Sequence, residues 1–179
     1  WSLYLLSMHP GALERIREEA WRVCGERDPE WNEVQQLSYT RMVIQETMRL
    51  FPPIWALIRI AAGDDEIGAH QIKAGDKVVI LTYIAHHSPK YWEEPETFDP
   101  ERFAPERAKK RVKYSYLPFA AGKRACIGGA LSQIENTLAL VQLLRRFTPE
   151  YVGPQPAKIH ATVTLCPKGG LPFRIKELS

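Results

Sequence analysis

Residues Leu117–Gly129 read LPFAAGKRACIGG, and the fold is decided by how this stretch is read. It is a glycine-containing loop that sets a single cysteine, Cys126, at the start of a long apolar-striped segment. Ile127, Leu131, Ile134, Leu138, Val141 and Leu144 recur at offsets of three and four, which predicts a buried helix from about Cys126 or Ile127 to Arg146. Free N–H groups and the positive dipole end of a helix favour an anion. Cys126 is therefore placed to be a thiolate, able to ligate a metal or to attack an electrophile. Gly122 and Gly128 let the backbone approach the sulfur, while Lys123 and Arg124 offer cations to a nearby anion. The bland alternative is a small apolar filler, the reading kept for Cys24 and Cys166. A phosphate-binding loop fails: its first glycine is replaced by Leu117, and Lys123 is followed by Arg124 rather than Ser or Thr.

Upstream, Leu3, Leu5 and Leu6 end at Met8-His9-Pro10. Leu13, Ile16, Ala20 and Val23 then fall at helical spacing among Glu and Arg. A second helix runs from about Leu37 to Leu50 and is stopped by Pro52 and Pro53. Between Trp55 and Tyr83 the β-branched run KVVIL and turns at Gly63, Gly68 and Gly75 predict a small sheet. From His86 to Leu117, four prolines at intervals of five or six alternate with Tyr91, Trp92, Phe98 and Phe103, so the chain is expected to be irregular but packed. After Pro149, strand signals at Ile159–Leu165 and Leu171–Ile175 flank Pro167-Lys168-Gly169-Gly170, which reads as a hairpin turn. The class is mainly α with small β-sheets.

The 179 residues are 45% hydrophobic and 25% charged, too apolar for a disordered tail and sized for one domain or a large piece of one. The net charge of +3 announces no nucleic-acid or membrane partner. It is concentrated between Arg107 and Lys113, where five of seven residues are basic. That run reads as a solvated face or as a dock for an acidic electron-transfer partner; it carries too few interleaved aromatics for nucleic acid. Three scattered cysteines with no CxxC pair argue against disulfides or a zinc site and for a reducing compartment. No signal peptide, membrane anchor or membrane-length apolar run is visible. Trp1 begins in mid-pattern, so the chain is expected to lack an N-terminal part.

Phe119, Gly122, Arg124, Cys126 and Gly128 together fit the pattern Phe-x-x-Gly-x-Arg-x-Cys-x-Gly, and on this the chain resembles the cytochrome P-450 family of haem-thiolate monooxygenases. Chance would produce those five matches in a chain this long with odds of roughly 10⁻⁵ to 10⁻⁴. The resemblance makes Cys126 the axial ligand of haem b iron. It packs Phe119 on the proximal haem face and pairs Arg124 with a propionate. Three Glu-x-x-Arg spacings occur, Glu14/Arg17, Glu19/Arg22 and Glu46/Arg49. Only the last sits among apolar residues ahead of Pro-Pro, as in the family's Glu/Arg helix. FDPERF, Phe98–Phe103, resembles the family's meander, whose Arg102 would complete a structural triad with Glu46 and Arg49. By the same resemblance Arg59 is a second propionate ligand and His86 a support for the haem. Ile54, Ala56, Leu57, Thr162 and Val163 would face substrate.

The order of elements matches the C-terminal half of the family's fold, so residues 1–179 are expected to be the haem-binding portion of one larger domain. The family's oxygen-activating helix would precede Trp1; the near match at Ala62–Glu66 lacks Thr and lies in a turn. The isolated chain is therefore expected to be inactive. The implied function is O2-dependent insertion of one oxygen atom into a small, apolar organic substrate, with electrons from a reductase or ferredoxin. Two alternatives are a non-catalytic haem-binding or interaction module, and another thiolate-haem chemistry such as peroxygenation or isomerisation. The short meander resembles bacterial, cytoplasmic members.

Overall fold

The computed structural model describes residues 1–178. Helix α1, Ser2–Met8, is followed across His9 by α2, Pro10–Cys24. Pro10 lacks an N–H but occupies the first helical turn, where none is needed. Helix α2 stops at Gly25, whose φ of 59° is costly for other residues. Helix α3, Ser38–Leu50, ends just before Pro52, as the sequence requires. Its own N-cap, Leu37, offers no side-chain acceptor. The carboxylate of Glu19 on α2 takes that role, accepting from Tyr39 N at 2.7 Å, Thr40 N at 2.8 Å and the hydroxyl of Thr40 at 2.8 Å.

Helix α6, Gly129–Arg146, packs with α2 and α3 around Leu6, Leu13, Ile16, Val43, Val141 and Leu144. The expected buried helix is corrected in two ways. It begins at Gly129, beyond Cys126, and only its C-terminal half is enclosed. Thr137, Leu140, Val141 and Leu144 are buried, whereas Leu131 and Ile127, just ahead of the helix, are exposed. The reason is positional: α2 and α3 reach α6 at its far end, leaving the end beside the Cys loop open.

The expected small sheet is two separate antiparallel pairs. Strand β1, Leu57–Ile60, pairs with β4, Lys77–Ile80, and between them β2, Asp65–Ile67, pairs with β3, His70–Ile72. Helix α4, Thr82–His86, follows directly. The proline-rich segment is irregular except for a 3₁₀ turn at Pro100–Phe103 and α5, Pro105–Ala108.

The terminal hairpin is also corrected. Strand β6, Ile159–Ala161, pairs with β7, Leu165–Pro167, around Thr162-Val163-Thr164. Strand β8, Phe173–Glu177, instead pairs with β5, Phe147–Tyr151, which follows α6 without a loop. Strand β5 begins ahead of the expected strands, and Pro149 sits opposite Ile175 inside it. A two-stranded ribbon tolerates proline on its outer, unpaired edge. Tyr151 and Phe173 of this ribbon close a second apolar cluster with Tyr4, Leu5, Leu50 and Phe51.

Candidate haem site

The site is built on the meander. Glu46 and Arg49, both on α3 and both fully buried, form a two-pronged pair: Arg49 Nε and Nη2 donate to the two Glu46 oxygens at 2.7 and 2.8 Å. Arg49 Nη1 donates to the carbonyls of Pro95 at 2.6 Å and His86 at 2.8 Å, and Nη2 also reaches Thr97 O at 3.2 Å. Glu46 accepts in turn from Asp99 N at 3.0 Å and lies 3.4 Å from Arg102 Nε. Arg102 donates to Glu94 O at 2.9 Å. The three residues thus meet, and their remaining valences hold the backbone of a segment with no regular structure. A buried carboxylate left without its cations, or the reverse, costs about 3 to 5 kcal/mol. The other two Glu-x-x-Arg pairs differ. Glu14/Arg17 is a partly exposed contact at 2.5 Å, and Arg22 lies 4.0 Å from a Glu19 already occupied with α3.

Arg111, from the basic run, was missed as a structural residue. Its guanidinium lies over Phe103 at 4.3 Å, Trp92 at 5.2 Å and Tyr116 at 5.4 Å, and donates to Arg102 O at 3.0 Å. Arg107 and Lys109 are paired with Asp99 at 2.7 Å and Glu106 at 2.9 Å. Of the five basic residues only Lys110 and Lys113 are exposed without a carboxylate partner among the described residues.

The Cys loop leaves this platform at Leu117, whose N–H donates to His86 Nε2 at 2.8 Å. The chain turns through Ala120, φ 60°, and Gly122, φ 73°. It is closed by Cys126 N donating to Phe119 O at 2.9 Å and Ala125 N to Gly122 O at 3.1 Å. Phe119 lies against Gly129, where a Cβ would come within 3.1 Å of the ring, and a Cβ on Gly128 would stand 3.9 Å from the Cys126 sulfur. Gly129 is a site residue that the motif does not contain; the doubled glycine was its only signal. Cys126 is a free, exposed thiol three residues before α6. Beside it Ile127 is wholly exposed, at 104%, and Arg124 is exposed with no carboxylate partner among the described residues. A metal-binding sulfur, an uncovered apolar shelf and an uncommitted cation are what an iron porphyrin with anionic propionates needs, so the residues present fit haem.

The remaining expected residues fall in three places. Arg59 is exposed on β1, its Nη1 donating to Ile58 O at 2.9 Å, and lines a shallow 340 Å³ cleft with Asp64 and Asp65. His86 does not reach outward: it is fully buried, with its ring on the Leu117 amide and stacked at a tilt on Tyr116. Burial, followed by His87 and Arg49, pulls its pKa down to about 4. Its contact is with the loop that carries Cys126. The two segments expected to face substrate, far apart in sequence, are stitched together: Trp55 Nε1 donates to Thr162 O at 2.8 Å and Leu165 N to Pro53 O at 2.9 Å. Ile54 and Val163 are exposed there, and Thr82 Oγ1 fixes Ile54 O at 2.6 Å.

The family model for cytochrome P-450 matches residues 1–172. The chain belongs to the cytochrome P-450 family. Among curated relatives it is 39% identical over 147 residues to cyclooctatin synthase of Streptomyces melanosporofaciens, covering 82% of this chain and 32% of that protein. It is 38% identical over 177 residues to thromboxane-A synthase of Mus musculus, covering 96% of this chain and 33% of that protein. The chain thus spans about a third of the length of the curated relatives it matches. The crystal structure of the cytochrome P450DA heme domain superposes with a TM-score of 0.91 at 29% identity, over 99% of this chain and 40% of that one. Haem is the cofactor of this family, and the matched structure is a haem domain. Among the described residues no helix is long and apolar enough to cross a membrane.

Proposed function

We propose that this chain is the thiolate-bearing C-terminal portion of a haem monooxygenase domain that places one atom of O2 in a small apolar substrate and releases the other as water. The observation that carries it is the Cys126 thiol, fully presented by a loop whose backbone is closed at both ends. When bound, the thiolate-ligated haem supplies reductive activation of O2, the sulfur's electron density favouring O–O cleavage. The chain's own residues do the rest. Cys126 binds the iron, Arg124 and Arg59 receive the propionates, and Phe119, held by Gly129, shields the sulfur. Gly122 and Gly128 keep the loop close. Glu46, Arg49 and Arg102 fix the meander from which the loop springs. Ile54, Ala56, Leu57, Thr162 and Val163 form the apolar contact for substrate. Lys110 and Lys113 supply a positive face for an acidic reductase or ferredoxin. The three free thiols agree with a reducing cytoplasm.

The test is the carbon-monoxide difference spectrum of the reduced, haem-loaded protein, with Cys126→Ala as control. The thiolate band is expected in the first and absent in the second. A band at the imidazole position in the unaltered protein, or no change on mutation, overturns the reading. A thiolate band without NAD(P)H- and O2-dependent product, but with peroxide-driven or redox-neutral turnover, assigns the chain to peroxygenase or isomerase chemistry instead.

A further inference from the structure

Resting on the haem-thiolate reading, we propose that His86 is a positioning residue that ties the Cys loop to the Glu46–Arg49 pair through its neutral imidazole. One residue makes both connections. Its carbonyl accepts from Arg49 Nη1 at 2.8 Å, and its ring Nε2 accepts from the Leu117 N–H at 2.8 Å. An amide is only a donor, so Nε2 presents its lone pair and the ring proton sits on Nδ1. Leu117 in turn accepts from Ala120 N at 3.3 Å, and Phe119, between them, accepts from Cys126 N at 2.9 Å. A short relay of backbone hydrogen bonds therefore runs from the imidazole to the residue that bears the sulfur.

The surroundings select that neutral form. His86 is fully buried, and Nδ1 has no partner in hydrogen-bonding geometry. The charged and titratable groups around it are Arg49 and, bonded to it, Glu46 from α3; Tyr116 ahead of the loop; and His87 on its own helix. Glu46 is spent on Arg49 and Arg102, and burial drives the Tyr116 hydroxyl far up, so it stays neutral. A second proton would convert Nε2 to a donor facing another donor, beside the Arg49 cation. The contact with Leu117 would then break.

The experiment uses the haem-loaded full-length enzyme with three side chains at position 86. In His86→Leu, hydrogen exchange at the Leu117 amide rises about tenfold and part of the ferrous carbon-monoxide spectrum leaves the thiolate position. His86→Gln, whose carbonyl accepts from the same amide, restores both. On acidification, protection at Leu117 in the unaltered enzyme falls as the pH passes about 4, and the Gln variant shows no such step. Unchanged Leu117 exchange in His86→Leu overturns the proposal, as does a Gln variant that behaves like Leu. If His86→Leu does not fold, the pH comparison of the unaltered and Gln proteins decides alone. An unaltered enzyme with no thiolate spectrum sinks the haem reading; a normal spectrum with an unprotected Leu117 sinks only the role of His86.

Discussion

Glu19 of α2 grips Thr40 at the first turn of α3 twice, accepting from its amide and its hydroxyl at 2.8 Å each. A carboxylate borrowed from a neighbouring helix thus caps the helix that carries Glu46 and Arg49. Removing it leaves two buried amides of that turn without an acceptor. Glu19→Ala is expected to cost about 2 to 3 kcal/mol in urea unfolding of the full-length enzyme. Arg22→Ala, whose partner lies 4.0 Å away, is expected to cost less than about 0.5 kcal/mol.

The Glu46 carboxylate holds two guanidinium groups and one backbone amide out of water. Glu46→Ala therefore strands two buried cations, with an expected loss of about 3 to 5 kcal/mol and of haem retention, read by denaturant melts and by haem-to-protein absorbance. Glu14→Ala, removing an exposed carboxylate of the same spacing, is expected to be nearly silent in both. Equal effects of the two substitutions would refute the buried-triad account.

Three glycine substitutions separate contact from conformation. Gly129→Ala drives a methyl group to 3.1 Å from the Phe119 ring and should shift the ring, seen as a changed Soret position with haem still bound. Gly122→Ala meets no atom but must hold φ at 73°, costing about 1 to 2 kcal/mol. Gly63→Ala, free of both constraints, should leave melting temperature and spectrum alone.

Acid sensitivity is expected in two windows. The Arg27 guanidinium and the Glu30 amide hold Glu33 down at about 2 from an ordinary 4.5. A depressed carboxylate pKa stabilises the fold above 4.5, and that contribution fades as pH falls toward 2. His86, lowered to about 4 from 6.5, resists protonation only when folded, so stability also declines as pH falls from 6.5 to 4. Arg27→Ala should flatten the lower limb and His86→Gln the upper one, in melts taken across pH.

The local signals that the sequence expresses in neighbouring residues were readable. Pro10, Pro52 and the three-and-four spacing of Leu13, Ile16 and Ala20 bound and orient α2 and α3 correctly. The Phe119-to-Gly128 motif pointed to the family because its glycines and cysteine lie within one short loop. What failed depended on partners distant in the chain. Strand β5 was missed because its pairing with β8 is a long-range contact that no flanking turn announces. Leu131 was assigned to a buried stripe because periodicity gives the direction of a helix face but not what covers it. Arg111 looked like surface charge because its aromatic neighbours come from residues Trp92, Phe103 and Tyr116. His86 showed nothing in sequence of its bond to Leu117, 31 positions away.

Charge reversal tests the proposed dock. Lys110→Glu with Lys113→Glu should raise the apparent KM for an acidic electron donor and weaken its salt dependence. Reduction by dithionite, which needs no docking, should be unaffected.

The stitch between Trp55 and Thr162, and between Pro53 and Leu165, also bears on how the proposed substrate-facing segments could be altered. Neither segment can be redrawn alone, because a carbonyl on one is the anchor of a side chain or amide on the other. Libraries that vary Ile54 to Leu57 while freezing the distal hairpin sample half of a coupled surface. Productive variants should therefore arise as matched changes in both segments.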